Sequence, residues 1–135
     1  MHDNASSPAA LRLGWGLSAL VAVAMIANGG FMIVGQFFAP EALAAMSSAG
    51  GFTVNQSVAI GVILLVSSLL YVVPRTAMLG AILLTGFVGG AICTEFRIGT
   101  IMSASQLTNV VLGILPWAGL YLRDARVRAL LPLRS

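Results

Sequence analysis

Lysine is missing from this chain, and cysteine and histidine occur once each. The lone Cys93 leaves no partner for an intramolecular disulfide or a Cys-x-x-Cys pair, so the chain cannot run thiol–disulfide exchange alone. His2 lies in a polar N-terminal stretch, which leaves no histidine to ligate haem within an apolar segment. A Cys- or His-based metal cluster is likewise not expected. Charge is scarce too, at 8% of residues, against roughly a quarter in soluble domains. Such a chain cannot cover a water-facing surface. The formal charge of +3 comes from arginines at the ends of apolar runs rather than on one basic face, so no nucleic-acid partner is expected.

What is abundant is apolar: 59% of the residues are hydrophobic and the mean hydropathy is +0.99. The fitting solvent is a lipid bilayer, which an apolar helix of ~20 residues crosses. The expected fold is all-α, an integral membrane four-helix bundle. Residues 1–12 read as a short polar N-terminal tail. The domain at 13–122 holds spans at about 13–38, 54–73, 77–94 and 106–122, and residues 123–135 form a basic tail. A signal peptide competes for the first run, with Arg12 as its charged end and Ala22-Val23-Ala24 as a cleavage site. Apolar sequence continues through Phe31, Met32, Ile33 and Val34, so the run is read as an uncleaved span. Pro40 and Glu41 open a short helix over Leu43–Met46 in the longest connection. Pro74-Arg75-Thr76 is a tight hairpin with Thr76 as the next N-cap. Tyr71 is expected at the membrane interface.

Four spans place both termini on one side. That side carries Arg12, Arg75, Arg123, Arg126, Arg128 and Arg134, and the other carries Arg97. The positive-inside rule makes the arginine-rich side cytoplasmic, and Arg12, Arg75, Arg123, Arg126 and Arg128 read as cytoplasmic anchors. The expected location is a bacterial inner membrane, crossed several times. Within that frame Asn28, Gln56, Glu95, Arg97, Gln106 and Asn109 gather in the outer half. Polar groups in spans are costly unless they face the bundle or a water-filled cavity, so these six form a candidate outer polar pocket. The bland reading of Gln56, Glu95 and Gln106 is helix caps in the headgroup zone. Gly86 and Gly90 form a Gly-x-x-x-Gly pair on one helix face, which predicts close helix packing and leaves room for a homo-oligomer.

The segment Leu70–Ala91, with Pro74, Arg75, Gly80, Gly86, Gly89 and Gly90 in their spacing, resembles the bacterial DoxX-like family of small four-span membrane proteins. Gly14–Ser18 and Trp117–Asp124, followed by Arg126, Arg128 and Leu131-Pro132, fit the same family. The resemblance covers residues 13–134. It implies a membrane protein linked to redox systems, with a quinone as the only cofactor suggested and a membrane redox partner. Relatives often carry His at the position of Glu95, so no proton or metal role is inherited there. No catalytic residue is carried over, and whether the chain is an enzyme stays open. The expected function is a non-catalytic or accessory subunit of a quinone-dependent membrane system. The alternative is a small-molecule transporter or binder built on the outer pocket.

Overall fold

The computed structural model describes residues 7–99 and 101–130. Met1–Ser6 of the expected tail, Leu131-Pro132 and Arg134 lie outside the described residues. Every regular element among the described residues is a helix: α1 is Pro8–Phe38, α2 Pro40–Ala49, α3 Val54–Val72, α4 Ala77–Arg97, α5 Ala104–Arg123 and α6 Ala125–Leu130.

Local chemistry sets most of these ends. The Ser7 hydroxyl accepts the Ala10 N–H, and Pro8 follows in the first turn, where its missing N–H costs nothing. The first helix therefore starts at Pro8, inside the stretch expected to be tail. Capping boxes open α3 and α5. Thr53 and Gln56 exchange side-chain and backbone hydrogen bonds, as do Ser103 and Gln106. Thr76 stands at the N-cap of α4 but makes no capping bond there. Its hydroxyl donates instead to the Leu70 carbonyl at 2.8 Å, closing the helix behind it.

Helix α1 packs on α3 and α5, and α4 packs on the same two helices. The contacts thus run in a circuit α1–α3–α4–α5. Helix α2 packs on α1 and α3, and α6 on α5. Val21, Met25, Leu64, Ala81, Leu84 and Leu120 fill the interior. Leu20, Val23, Ile63, Leu79, Ile82 and Ile114 point outward and are at least half exposed. That outer surface suits hydrocarbon and not water. Three helices, α1, α3 and α4, are long and apolar enough to cross a membrane. Helix α5 is more polar over its first two turns, which carry Ser105, Gln106, Thr108 and Asn109.

Lipid removes the hydrophobic drive between helices, so packing depends on close approach and hydrogen bonds. Gly29 and Gly61 provide the approach between α1 and α3. A Cβ on Gly29 would stand 3.0 Å from the Gly61 carbonyl oxygen, and one on Gly61 would stand 2.6 Å from the Met32 Cβ. Gly80 is tighter, since its Cβ would fall 2.2 Å from the Tyr71 backbone nitrogen. Tyr71, near the end of α3, is turned into the bundle. It is 0% exposed, and its hydroxyl lies 2.9 Å from Ser18 Oγ and donates to the Pro116 carbonyl at 3.1 Å. One phenol thus ties α3 to both α1 and α5.

Candidate functional site

The Glu95 end of the molecule holds a cavity of about 520 Å³. One face of α4 forms its longest wall, with Gly86, Phe87, Gly90, Ala91, Thr94 and Glu95 at helical spacing. Helix α1 adds Asn28 and Met32, α3 adds Ser57 and Ile60, and α5 adds Ser105 and Asn109. Met46 and Ser47 of α2, with Gly50 and Phe52 of the following loop, complete it.

Gly86 and Gly90 were expected to seat a neighbouring helix. Within this chain they do the opposite. A Cβ at either position would meet nothing within 4 Å, because both face the cavity. Their missing side chains are part of the cavity's volume. The close approaches are made by Gly29, Gly61 and Gly80 instead.

Glu95 is the polar centre of the wall. Helix α4 continues through Arg97, which carries Glu95 on the helix rather than in the connection expected from residue 95 onward. Its Oε1 accepts from the Ser105 hydroxyl and from Asn109 Nδ2, the latter at 3.3 Å. Its Oε2 accepts from the Ser103 hydroxyl at 3.4 Å. Ser103 is the N-cap of α5, so the carboxylate sits against a helix N-terminus, where the backbone dipole favours negative charge. All three donors are neutral. Asn28 makes no hydrogen bond to the protein, so its amide faces the cavity with its donors and acceptor uncommitted.

The six residues of the expected pocket therefore separate. Asn28, Glu95 and Asn109 line one cavity. Gln56 is turned to its own helix start, where Oε1 accepts the Thr53 N–H at 2.8 Å. Gln106 occupies the equivalent place on α5 and is 6% exposed. Arg97 reaches the loop after α2, with Nη2 3.1 Å from where a Cβ on Gly51 would lie. Gly51 has φ +74°, a left-handed turn that glycine adopts without strain. Arg97 and Glu95 form no ion pair. Ser103 and Ser105 were not among the expected site residues. The signal for them was present: the Ser103-x-x-Gln106 box fixes the start of α5 and so sets Ser105 and Asn109 four apart on one face.

The opposite end is organised around Arg123. Its guanidinium carbon stands 4.6 Å from the Trp15 ring centre and 5.1 Å from that of Tyr71. Such cation–π contacts gain strength where water is excluded. One of its nitrogens donates to the Tyr71 carbonyl at 3.2 Å. Arg128 closes the end of α5, donating from Nη1 to the Tyr121 and Leu122 carbonyls, each at 3.0 Å. Two of the expected anchors are thus bound into the fold. Arg12, Arg75 and Arg126 are exposed.

A family model described as the DoxX-like family matches residues 16–119. The chain belongs to the DoxX-like family. The match takes in all of α2, α3 and α4 and most of α1 and α5, and so every residue lining the Glu95 cavity. It makes this DoxX-like chain a membrane protein, in agreement with its three membrane-capable helices. No curated protein and no solved structure matches the chain.

Chemically, the DoxX-like chain's cavity joins apolar walls to a carboxylate, two amides and hydroxyls. Its volume falls within the ~300–1,000 Å³ of small-molecule sites. Such an arrangement has the chemistry to accommodate an amphiphilic molecule, with polar groups for a head and Met32, Met46, Phe52, Ile60 and Phe87 for an apolar part.

Proposed function

We propose that this DoxX-like protein is a non-catalytic accessory subunit of a bacterial inner membrane, whose Glu95 cavity holds a small apolar ligand with a polar head. All four long helices cross the bilayer as a four-helix bundle with both termini cytoplasmic, so the cavity opens toward the outer face. The ligand class that fits best is a quinone. Its carbonyl oxygens accept hydrogen bonds, and Asn28 offers uncommitted amide donors beside the apolar walls of the cavity. The observation that carries the reading is the convergence of Asn28, Glu95 and Asn109 on one cavity from three helices. The orientation is supported by Arg75, Arg123 and Arg126 lining a common cavity at the other end.

The test is photo-crosslinking with an azido-quinone in nanodiscs, with the modified peptides mapped. Labelling of α4 and α1 that unlabelled quinone suppresses, and that Gly90→Leu removes, is expected. Equal labelling of the wild-type and Gly90→Leu proteins would refute the assignment. Repeated purification without any redox partner would count against the accessory role. Ligand movement across proteoliposome membranes would reassign the same cavity to transport.

A further inference from the structure

A second cavity, of about 300 Å³, lies at the other end of the molecule. Its lining combines Arg75 from the α3–α4 hairpin with Arg123 and Arg126 from the α5–α6 junction. Trp15, Leu120 and Pro74 give it apolar walls. The arginines come from separate parts of the chain and would repel one another across an empty site. Among the described residues, Asp124 in the lining offsets one of the three charges and leaves the site net positive. The side chains of Arg75 and Arg126 make no hydrogen bond or ion pair. Asp124, the one carboxylate in the lining, is occupied by the Arg126 backbone N–H at 2.9 Å. Arg123 is held from one side by Tyr71 and Trp15, yet its Nε is buried with no hydrogen-bond partner.

We propose that this cavity is a phosphate-binding site, in which Arg75, Arg123 and Arg126 take up the phosphate of an anionic phospholipid headgroup or a soluble phosphate. Guanidinium forks match phosphate oxygens in geometry and charge. Arg123 is already ordered by its aromatic neighbours, which reduces the entropy lost on binding. The apolar walls beside the arginines suit the glycerol and acyl region of a lipid. The site is separate from the Glu95 cavity and stands whether or not that cavity binds a quinone.

Native mass spectrometry of the detergent-purified protein tests it, with phosphatidylglycerol and phosphatidylcholine offered in turn. The comparison is between the wild type and R75Q/R126Q, which leaves the packed Arg123 in place. Phosphatidylglycerol should be retained over phosphatidylcholine, and R75Q/R126Q should weaken its retention by about thirty-fold, as removing two interfacial arginines implies. Retention that inorganic phosphate does not displace assigns the site to a lipid headgroup. Displacement by millimolar inorganic phosphate assigns it to soluble phosphate. Circular dichroism and gel filtration check that R75Q/R126Q is folded, and if it is not, the single variants R75Q and R126Q replace it. Equal retention of both lipids, or retention unchanged in folded variants, overturns the proposal.

Discussion

Gly80 and Gly90 lie on the same helix, and alanine at the two positions should act with opposite sign. At Gly80 the added Cβ would fall 2.2 Å from the Tyr71 nitrogen and 2.5 Å from its Cα. Those are backbone atoms, so no rotamer change relieves the clash and the α3–α4 hairpin must open. Overpacking of this kind costs about 1–3 kcal/mol. The same movement strains the Tyr71 bonds to Ser18 and Pro116, which places G80A at the upper end of that range. At Gly90 the Cβ meets nothing within 4 Å. There alanine removes a helix-interior glycine, a gain of up to ~1 kcal/mol in water. The gain is smaller in a micelle, where the unfolded chain keeps much of its helix. The expected gap between G80A and G90A is therefore about 3 kcal/mol, or roughly a hundred-fold in the unfolding constant. Titration of dodecyl maltoside micelles with dodecyl sulfate, followed by circular dichroism, measures it. If G90A proves as destabilising as G80A, Gly90 is packed against something, and the cavity reading of α4 fails in favour of a helix seam with a second copy.

Other substitutions probe the remaining joints. Tyr71→Phe should cost about 1 kcal/mol in the same titration, because Ser18 and the Pro116 carbonyl lose a buried partner; a change below a few tenths would show that the phenol does not tie the helices. Glu95→Gln should destabilise by about 1–2 kcal/mol, through loss of charge-assisted bonds from Ser103, Ser105 and Asn109 and of the charge at the start of α5; an unchanged midpoint would mean that these bonds are not formed in the membrane. For orientation, Cys93→Ser supplies the background. On it, Ser48→Cys should react with an impermeant maleimide in intact spheroplasts, and Ala129→Cys only after permeabilisation. The reverse pattern would invert the topology.

The helical segments could be read because apolar runs, prolines and capping residues are local signals. Ser103 and Gln106 announce α5 as plainly in the sequence as in the structure. The facing of each helix could not be read in the same way. In lipid the outer and inner faces are both apolar, so the periodicity that orients a helix in a soluble protein carries little information here. Leu79 and Leu84 look alike in sequence, yet one is 50% exposed and the other fully buried. Glycines show the same ambiguity in sharper form. Gly61 draws two backbones together and Gly90 holds space open, and no feature of either's neighbours in the chain separates them. Polar residues are ambiguous for a different reason. Gln56 and Gln106 satisfy their own helix starts, whereas Asn28 and Asn109, deeper along their helices, reach the cavity. Depth beyond the first turn is the property that distinguishes the two groups. A residue within reach of unpaired N–H groups at a helix start can be consumed there, while one farther in must find its partner across the interior. Glu95 follows that rule from the other direction. It lies in the last turn of α4, where the helix has unpaired carbonyls and no free N–H to offer a carboxylate. Its donors must therefore come from elsewhere, and the N-terminus of the next helix supplies them. The connection that returns the chain from α4 to α5 thus also supplies, through Ser103, a donor to the carboxylate in the cavity wall.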